Sequence, residues 1–508
     1  MLSYLKIGQN FKSLPLFFQV FGIACSFMII IAVYALAVSL FREARIFFYT
    51  GLTGFLVLSL VVLSISNRNL TESGLSQLFS LLFSFLLLPI FLAVPNLIIL
   101  PGTNFIDTYL DMVSVFTTTG LPVFENDFLT KPIHLWRALT AWFGGGLIWI
   151  AAFVILLPAN FGGSEDFSNK KRSILSNRKL TLDERSTTLV KVSQKLIPTY
   201  LGLTIVLWGL LSAFGTDSYT SLIRALCVIS TSGISGPEKL GMDGAGFFGE
   251  LVILLFLFIA LSNNILKFLS KQVRVTTIVY DVEVRLGLFI VLTTTALLSF
   301  MQLIQNNFYS ELNDKYGNFI ELIWGNFFTI FSFITTTGYV SAFENVFSSA
   351  NDFSHTTIIL IGLCLFGGGV ATTAGGIKLL RISILFSAFS NETGKLLHPS
   401  SVSGVNNQVK SLEISVFMAW IFFMLFIVSL AGLTIILAIF EMLFEDAIVL
   451  AVACLTTTGP IIEVIGLDAL LISDLSFIPK LTLAVGMVLG RLEILVVLSL
   501  LAFGFKRA

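Results

Sequence analysis

The tetrapeptide Thr-Thr-Thr-Gly occurs three times in this chain, as Thr117-Thr118-Thr119-Gly120, Thr335-Thr336-Thr337-Gly338 and Thr456-Thr457-Thr458-Gly459. A near-copy, Ser230-Thr231-Ser232-Gly233, stands between the first two. The four glycines are 113, 105 and 121 residues apart. At average residue usage one such tetrapeptide is expected in about one chain in a hundred of this length, so three near-regular copies mark an internal repeat rather than ordinary turn chemistry. Each follows a short apolar stretch, and each lies between two long ones. Helix, short helix, glycine turn and helix, four times over, is the pattern of an ion pore folded from one polypeptide.

The long stretches place the chain in a membrane. It is 56% hydrophobic and 12% charged, against about 25% charged residues in soluble domains. A spanning helix needs about 20 mostly apolar residues. Ten such segments are read, near 14–40, 46–66, 76–100, 137–158, 196–214, 245–269, 285–304, 355–389, 413–440 and 479–504. The first is much longer than the apolar core of a cleaved signal peptide, about 7–15 residues, and reads as a retained anchor.

Lys and Arg gather in alternate connections: Lys170, Lys171, Arg172, Arg178, Lys179, Arg185, Lys191 and Lys195; Lys267, Lys271, Arg274 and Arg285; Lys378, Arg381, Lys395 and Lys410; and Lys506 with Arg507. The positive-inside rule puts these in the cytoplasm. Both termini are then expected inside, with all four tetrapeptides on the outer side. Every repeat starts inside, dips in from outside and returns, so the repeats run parallel about an axis along the membrane normal, unlike the inverted repeats of many transporters. The expected fold is an all-α integral membrane protein of about ten spans. Residues 1–68 form a two-span N-terminal extension, and four pore repeats follow at 70–165, 190–275, 281–395 and 410–508.

The tetrapeptides suit a cation filter. A dehydrated cation needs oxygens in place of its water, and backbone carbonyls supply them without burying a full negative charge. A short helix descending from outside points the negative end of its dipole at the membrane centre; the candidates are 107–116, 219–229, 321–334 and 444–455. Glycine at the turn allows backbone angles closed to other residues and close approach of four strands. Irregular backbone at that depth is tolerated where it lines a cavity or is buried in protein. The candidate ion ligands are therefore Thr117, Thr118, Thr119, Gly120, Ser230, Thr231, Ser232, Gly233, Thr335, Thr336, Thr337, Gly338, Thr456, Thr457, Thr458 and Gly459.

A second constellation runs from Gly367 to Lys378 inside the third repeat: Gly367, Gly368, Gly369, Thr372, Thr373, Gly375, Gly376 and Lys378 are its candidate gate residues. Each glycine costs a helix about 1 kcal/mol relative to Ala. Five within ten positions should break the span near mid-membrane and leave a polar loop below the filter. Arg491 and Glu493 lie inside the last apolar stretch, where charges are costly and usually face an interior or a cavity. Arg491 is a candidate partner of the pore or its gate loop. Asp111 and Arg224, in the short helices, are expected to brace the filter loops.

Other classes of function find little here. Formal net charge is zero, which offers no electrostatic case for nucleic acid. Cys25, Cys227, Cys364 and Cys454 are widely spaced inside apolar stretches, and His134, His355 and His398 show no metal-binding spacing. No catalytic dyad is seen, and no soluble segment is large enough for a nucleotide site. The TVGYG filter and regularly spaced arginines of a voltage-gated tetramer are absent.

Several of these motifs together resemble the TrkH/TrkG potassium transporter family of the wider Trk/Ktr/HKT superfamily. They are Phe116 to Gly120, Leu135-Trp136-Arg137 through Trp142-Phe143-Gly144-Gly145, Leu157-Pro158, Gly375-Gly376-Ile377-Lys378, Thr456 to Pro460, and Gly490-Arg491-Leu492-Glu493. The resemblance covers nearly the whole chain, and the two additional N-terminal spans are similar to the TrkH branch. It implies K⁺ as the transported ion, a bacterial inner-membrane location, a homodimer in membrane lipid, and control by a cytosolic nucleotide-binding RCK-type (TrkA-like) partner. It carries the filter onto Gly120, Gly233, Gly338 and Gly459, the gate onto 367–378, and the pore-facing arginine onto Arg491. Two positions depart from the family pattern: the second filter reads Ser-Thr-Ser-Gly-Ile, and Ala371 stands where Gly is common. Glycine at all four filter positions favours K⁺ over Na⁺.

The expected activity is K⁺ uptake driven by membrane potential. At about 2.3 kcal/mol per charge per 100 mV the potential concentrates K⁺ roughly fiftyfold without ATP. The alternative is a Na⁺- or H⁺-coupled symporter on the same fold. It needs a titratable or second ion site on the path, for which Asp111 and Glu493 are the candidates.

Overall fold

The computed structural model describes residues 15–65, 74–152, 182–234, 236, 246–262, 264–265, 275–308, 319–343, 355–370, 372–397, 407–440, 442–466 and 472–492. Ala371, Glu493, Leu157, Pro158 and the basic residues at 170–179, 267–274 and 506–507 lie outside the described residues. Every regular element among the described residues is helical. In chain order the helices are α1 (Leu16–Ala37), α2 (Phe41–Ile65), α3 (Gly74–Leu92), α4 (Val94–Ile99), α5 (Phe105–Phe116), α6 (Lys131–Ala151), α7 (Leu182–Ala213), α8 (Ser218–Ser230) and α9 (Gly246–Leu257). They continue with α10 (Val275–Val279), α11 (Val282–Phe308), α12 (Phe319–Ile334), α13 (His355–Phe366), α14 (Leu379–Leu397), α15 (Asn407–Ile439), α16 (Phe444–Thr456), α17 (Ile461–Ile465) and α18 (Phe477–Leu492).

Among the described residues, six stretches are long and apolar enough to cross a membrane: Leu16–Ala37, Phe41–Ser64, Gln77–Ile99, Leu196–Ala213, Val282–Gln302 and Val416–Ile439. They keep large apolar side chains on the outside, among them Val33, Leu63, Phe289 and Val428. In water such a face would be a liability; against lipid it is the matching surface. The four short helices are the reverse. In α5 every residue from Asp107 to Phe116 is buried, and α16 is buried from Val449 through Thr456.

Packing follows one rule four times. Each helix that leads into a tetrapeptide lies between the helices that precede and follow it: α5 between α3 and α6, α8 between α7 and α9, α12 between α11 and α13, α16 between α15 and α18. The later flanking helix of each unit also packs on the tetrapeptide helix of the next: α6 on α8, α9 on α12, α13 on α16, and α18 back on α5. The four units therefore close into a ring. α1 and α2 pack together as a hairpin outside this scheme, with α1 against α3 and α6.

Buried polar pairs hold the short helices in register. Arg137 on α6 meets Asp111 on α5 at 3.0 Å, and Lys480 on α18 meets Asp107 at 2.5 Å. Glu250 on α9 accepts from Trp324 Nε1 on α12 at 2.7 Å and from Ser341 Oγ and the Ala342 N–H beyond it at 2.8 Å. Asn326 on α12 donates to Ser299 and Gln302 on α11. Asp111 thus braces α5 through Arg137; Arg224 is buried on α8.

One expected span is corrected. The apolar run 245–269 reads as continuous, yet α9 stops at Leu257, tightens into a 3₁₀ turn at Phe258–Leu261, and reaches Ser262 in an extended conformation. The carbonyl of Ala260 is taken by the Gly369 N–H at 3.0 Å, and the Ser262 hydroxyl binds the Asp281 carboxylate. A loop of the third unit occupies the place where this helix would have continued.

Candidate functional site

The four tetrapeptides fold alike. The N–H of the second residue donates to the carbonyl three residues back: Thr118 to Val115 at 3.0 Å, Thr231 to Val228 at 3.1 Å, Thr336 to Phe333 at 3.0 Å and Thr457 to Cys454 at 3.4 Å. The N–H of the third reaches five residues back: Thr119 to Ser114, Ser232 to Cys227, Thr337 to Ser332 and Thr458 to Ala453, all at 2.8–3.0 Å. The hydroxyls of the first and third residues bond each other in every loop, Thr117 with Thr119 at 2.8 Å, Ser230 with Ser232 at 3.2 Å, Thr335 with Thr337 at 3.3 Å and Thr456 with Thr458 at 3.2 Å. The N–H groups of the second and third residues are thereby turned back toward each loop's own short helix, and so is the hydroxyl of the first, which also bonds a helix carbonyl four residues back.

The second residue takes a left-handed conformation in all four loops, with φ of 56° at Thr118, 51° at Thr231, 56° at Thr336 and 55° at Thr457. Left-handed backbone costs an L-residue about 1–2 kcal/mol, and for a β-branched side chain it is a genuine outlier. Four matched outliers are a built feature, held by the bonds just described. Sequence reasoning assigned the special geometry to glycine alone. Gly120, Gly233 and Gly338 are indeed left-handed, at φ 70°, 62° and 79°. Gly459 is not; it is followed by Pro460, which opens the short helix α17.

The loops meet one another in the ring order of their helices. A side chain on Gly120 would strike the Ser232 carbonyl, one on Gly233 the Thr337 carbonyl and Pro460, one on Gly338 Pro460, and one on Gly459 the backbone of Gly120 and Leu121. The Gly459 N–H donates to the Thr119 carbonyl at 2.6 Å, closing the fourth loop on the first. All twelve Thr and Ser residues are buried. Thr118 Oγ1 and Thr457 Oγ1 are buried with no hydrogen-bond partner among the described residues.

Directly against these loops lies the segment between α13 and α14. Its neck is pinned by Ile377 N–H to Leu365 O and Lys378 N–H to Phe366 O, both at 3.1 Å, and by Leu379 N–H to Gly368 O at 3.2 Å. Gly367 and Gly376, both left-handed, sit back to back at the neck, where a side chain on either would hit the other's backbone. At the tip, Gly375 N–H donates to Thr336 Oγ1 at 2.9 Å and packs on Thr456 and Thr457. Thr372 Oγ1 donates to Gly369 O at 2.7 Å, and Lys378 Nζ donates to Ala374 O. Arg491 on α18 is 5% exposed and donates from Nη1 to Thr373 O at 2.6 Å. A cavity of about 20 Å³, lined by Thr231, Thr372, Thr373, Trp149 and Tyr200 among others, separates the second loop from this segment.

The structure thus brings all sixteen filter candidates together, and sets Gly367, Gly368, Gly369, Thr372, Thr373, Gly375, Gly376, Lys378 and Arg491 into one layer beside them. Three participants escaped the sequence reading. Ser114 takes the Leu121 N–H on its hydroxyl at 2.6 Å, and Ser332 offers its carbonyl to both Thr337 and Gly338. Both lie three residues before their tetrapeptide, where the other two copies carry Cys227 and Ala453, so no shared residue type marks the position. Glu283, on α11, accepts the Val370 N–H at 2.8 Å, and no local pattern marks it.

These features define a class: an all-α, multi-pass membrane protein of four matched helix–loop–helix units closed around their loops. No protein-family profile matches the chain. It is 27% identical over 414 residues to the Trk system potassium uptake protein TrkG of Escherichia coli, covering 80% of each chain. It is 27% identical over 425 residues to TrkH of Vibrio parahaemolyticus, covering 80% of this chain and 81% of that one. The crystal structure of the potassium transporter TrkH from Vibrio parahaemolyticus superposes with a TM-score of 0.77 at 22% identity, over 97% of this chain and 98% of that chain. The chain resembles the TrkH/TrkG transporters in sequence and has the TrkH fold, and the proteins it matches are transporters rather than enzymes.

Proposed function

We propose that this chain is a K⁺ uptake pore of a bacterial inner membrane, driven by the membrane potential. The observation that carries the reading is the closed ring of four loops, each with the N–H groups of its second and third residues tied back to its own short helix. That arrangement leaves backbone carbonyls and the unpartnered Thr118 and Thr457 hydroxyls as the oxygen donors where the loops meet, the ligand set a dehydrated K⁺ needs. Each short helix delivers its negative dipole end to the same place. The names of the relatives supply the ion.

The segment from Gly367 to Lys378 is the gate. Its tip rests on the third and fourth loops, and Arg491 holds it from the side by a hydrogen bond to Thr373. A polar loop whose hydrogen bond to the filter is the one from Gly375 to Thr336 can block or clear the path with a small displacement. A second copy of the chain and a cytosolic nucleotide-binding regulator complete the system, on the strength of the family resemblance. The four units correspond to 70–165, 190–275, 281–395 and 410–508, with 1–68 as an additional hairpin. The filter loops face outward and the basic connections inward.

The test is ⁸⁶Rb⁺ uptake into proteoliposomes holding the full chain, with an ionophore-set potential and no ion gradient other than K⁺. Uptake that follows the potential, and that excess K⁺ but not Na⁺ suppresses, is the expected result. Uptake that requires an imposed proton or Na⁺ gradient refutes the pore in favour of coupled symport.

A further inference from the structure

Building on the gate reading above, we infer that Glu283 is a latch: its buried carboxylate holds the gate loop at Val370, three residues before the Thr373 carbonyl that Arg491 holds. Glu283 sits in the first turn of α11 and is 6% exposed. Its Oε1 accepts the N–H of Val370, in the ascending limb of the loop, at 2.8 Å. Lys378, at the foot of the descending limb, acts on the same carboxylate electrostatically, and the Ser262 hydroxyl lies within its hydrogen-bonding range. One side chain therefore engages both limbs of the loop.

The latch is itself anchored. The Glu283 N–H donates to Asp281 Oδ1 at 3.1 Å, and Asp281 Oδ2 accepts from Asn264 Nδ2 at 2.9 Å and from the Ser262 hydroxyl. Ser262 and Asn264 follow the 3₁₀ turn that ends the second unit, where Ala260 O also takes the Gly369 N–H. The junction between the second and third units and the gate loop are thus one hydrogen-bonded knot. Asp281 and Glu283 themselves stand between Lys267 and Arg285, in the basic connection expected on the cytoplasmic side, so a pull on that connection reaches Val370 through them. Arg491 grips the tip of the loop, and Glu283 grips its shoulder. Glu283 is a positioning residue that touches no filter residue.

A hydrogen bond to a charged acceptor typically contributes enough to shift an equilibrium by about tenfold or more. Releasing it therefore frees the loop without altering the filter. In potential-driven ⁸⁶Rb⁺ uptake by the full chain, Glu283→Ala should raise the initial rate about tenfold while K⁺ and Na⁺ compete as in the parent. Glu283→Gln keeps an acceptor for Val370 but loses the charge facing Lys378, and should raise the rate about threefold; being isosteric, it serves if the alanine variant does not fold. Rates within twofold of the parent in the folded variants overturn the latch. A raised rate with lost K⁺ selectivity also overturns it, since that marks a filter disturbed through the fold. Arg491→Ala separates this failure from that of the gate: an increase with Arg491→Ala but none at Glu283 sinks the latch alone, and no change at either residue sinks the gate reading with it.

Discussion

The contact between Gly375 and the filter can be loosened by a single methyl group. Gly375 is not left-handed, so alanine carries no backbone penalty there. Its Cβ, however, would run into the Thr456 carbonyl oxygen and Thr457 Oγ1, with the Thr456 carbonyl carbon at 2.9 Å. These atoms belong to a loop held by its own bonds to α16, so the tip of the proposed gate loop must give way. Overpacking of this kind costs about 1–3 kcal/mol. The tip would also lose the 2.9 Å bond from Gly375 N–H to Thr336 Oγ1, about 1 kcal/mol more. A total of about 2–4 kcal/mol shifts the seated-to-released ratio by roughly 30-fold to 1,000-fold, at about 1.4 kcal/mol per factor of ten. Gly375→Ala should therefore raise ⁸⁶Rb⁺ uptake until the released state saturates. Gly362→Ala is the control: it lies within α13, and its added methyl meets nothing within 4 Å. Uptake by Gly375→Ala within twofold of the parent, from protein that elutes as a single species, would refute the seating of this loop as the barrier.

Three further outcomes follow from the same geometry. Gly120→Ser places a side chain on backbone at φ 70° and against the Ser232 carbonyl, a strain of about 1–2 kcal/mol before any clash; Na⁺ should become at least tenfold more effective as a competitor of ⁸⁶Rb⁺ uptake. Thr336→Val removes the acceptor of the Gly375 N–H and leaves that donor buried, at about 1–3 kcal/mol, so uptake should rise with a shift smaller than that of Gly375→Ala. Arg137→Ala strands the buried Asp111 carboxylate of the 3.0 Å pair at a cost of about 3–5 kcal/mol; a lowered melting temperature in detergent, partly restored by adding Asp111→Asn, is the expected signature.

The short helices were legible because their ends carry local signals. The expected 107–116, 219–229, 321–334 and 444–455 are observed as Phe105–Phe116, Ser218–Ser230, Phe319–Ile334 and Phe444–Thr456, each stopped by the tetrapeptide that follows. The break after Phe366 was legible for the same reason, since five glycines defeat a helix wherever they fall. The break after Leu257 was not. The run Leu257-Phe258-Ile259-Ala260-Leu261 is as apolar as any span, and at its interruption the Ala260 carbonyl is taken by the Gly369 N–H from a loop about a hundred residues further on. Likewise, nothing in the sequence distinguishes Glu283 from a charge at a helix start, or Thr118 from Thr117.

One segment of a chain can state only its own solvent and its own backbone. Long apolar runs require a membrane, tetrapeptides end short helices, and a fourfold count implies a fourfold arrangement. How the pieces meet is settled in three dimensions: α18 returns to α5 to close the ring, three of the tetrapeptide glycines are left-handed while Gly459 instead admits the Gly120 backbone, and Arg491 and Glu283 bond one loop at two points. Those facts depend on atoms far apart in the chain coming within a hydrogen bond of each other. Hydrophobic periodicity, which reports only on whether a residue prefers lipid or protein to water, carries no record of such distances.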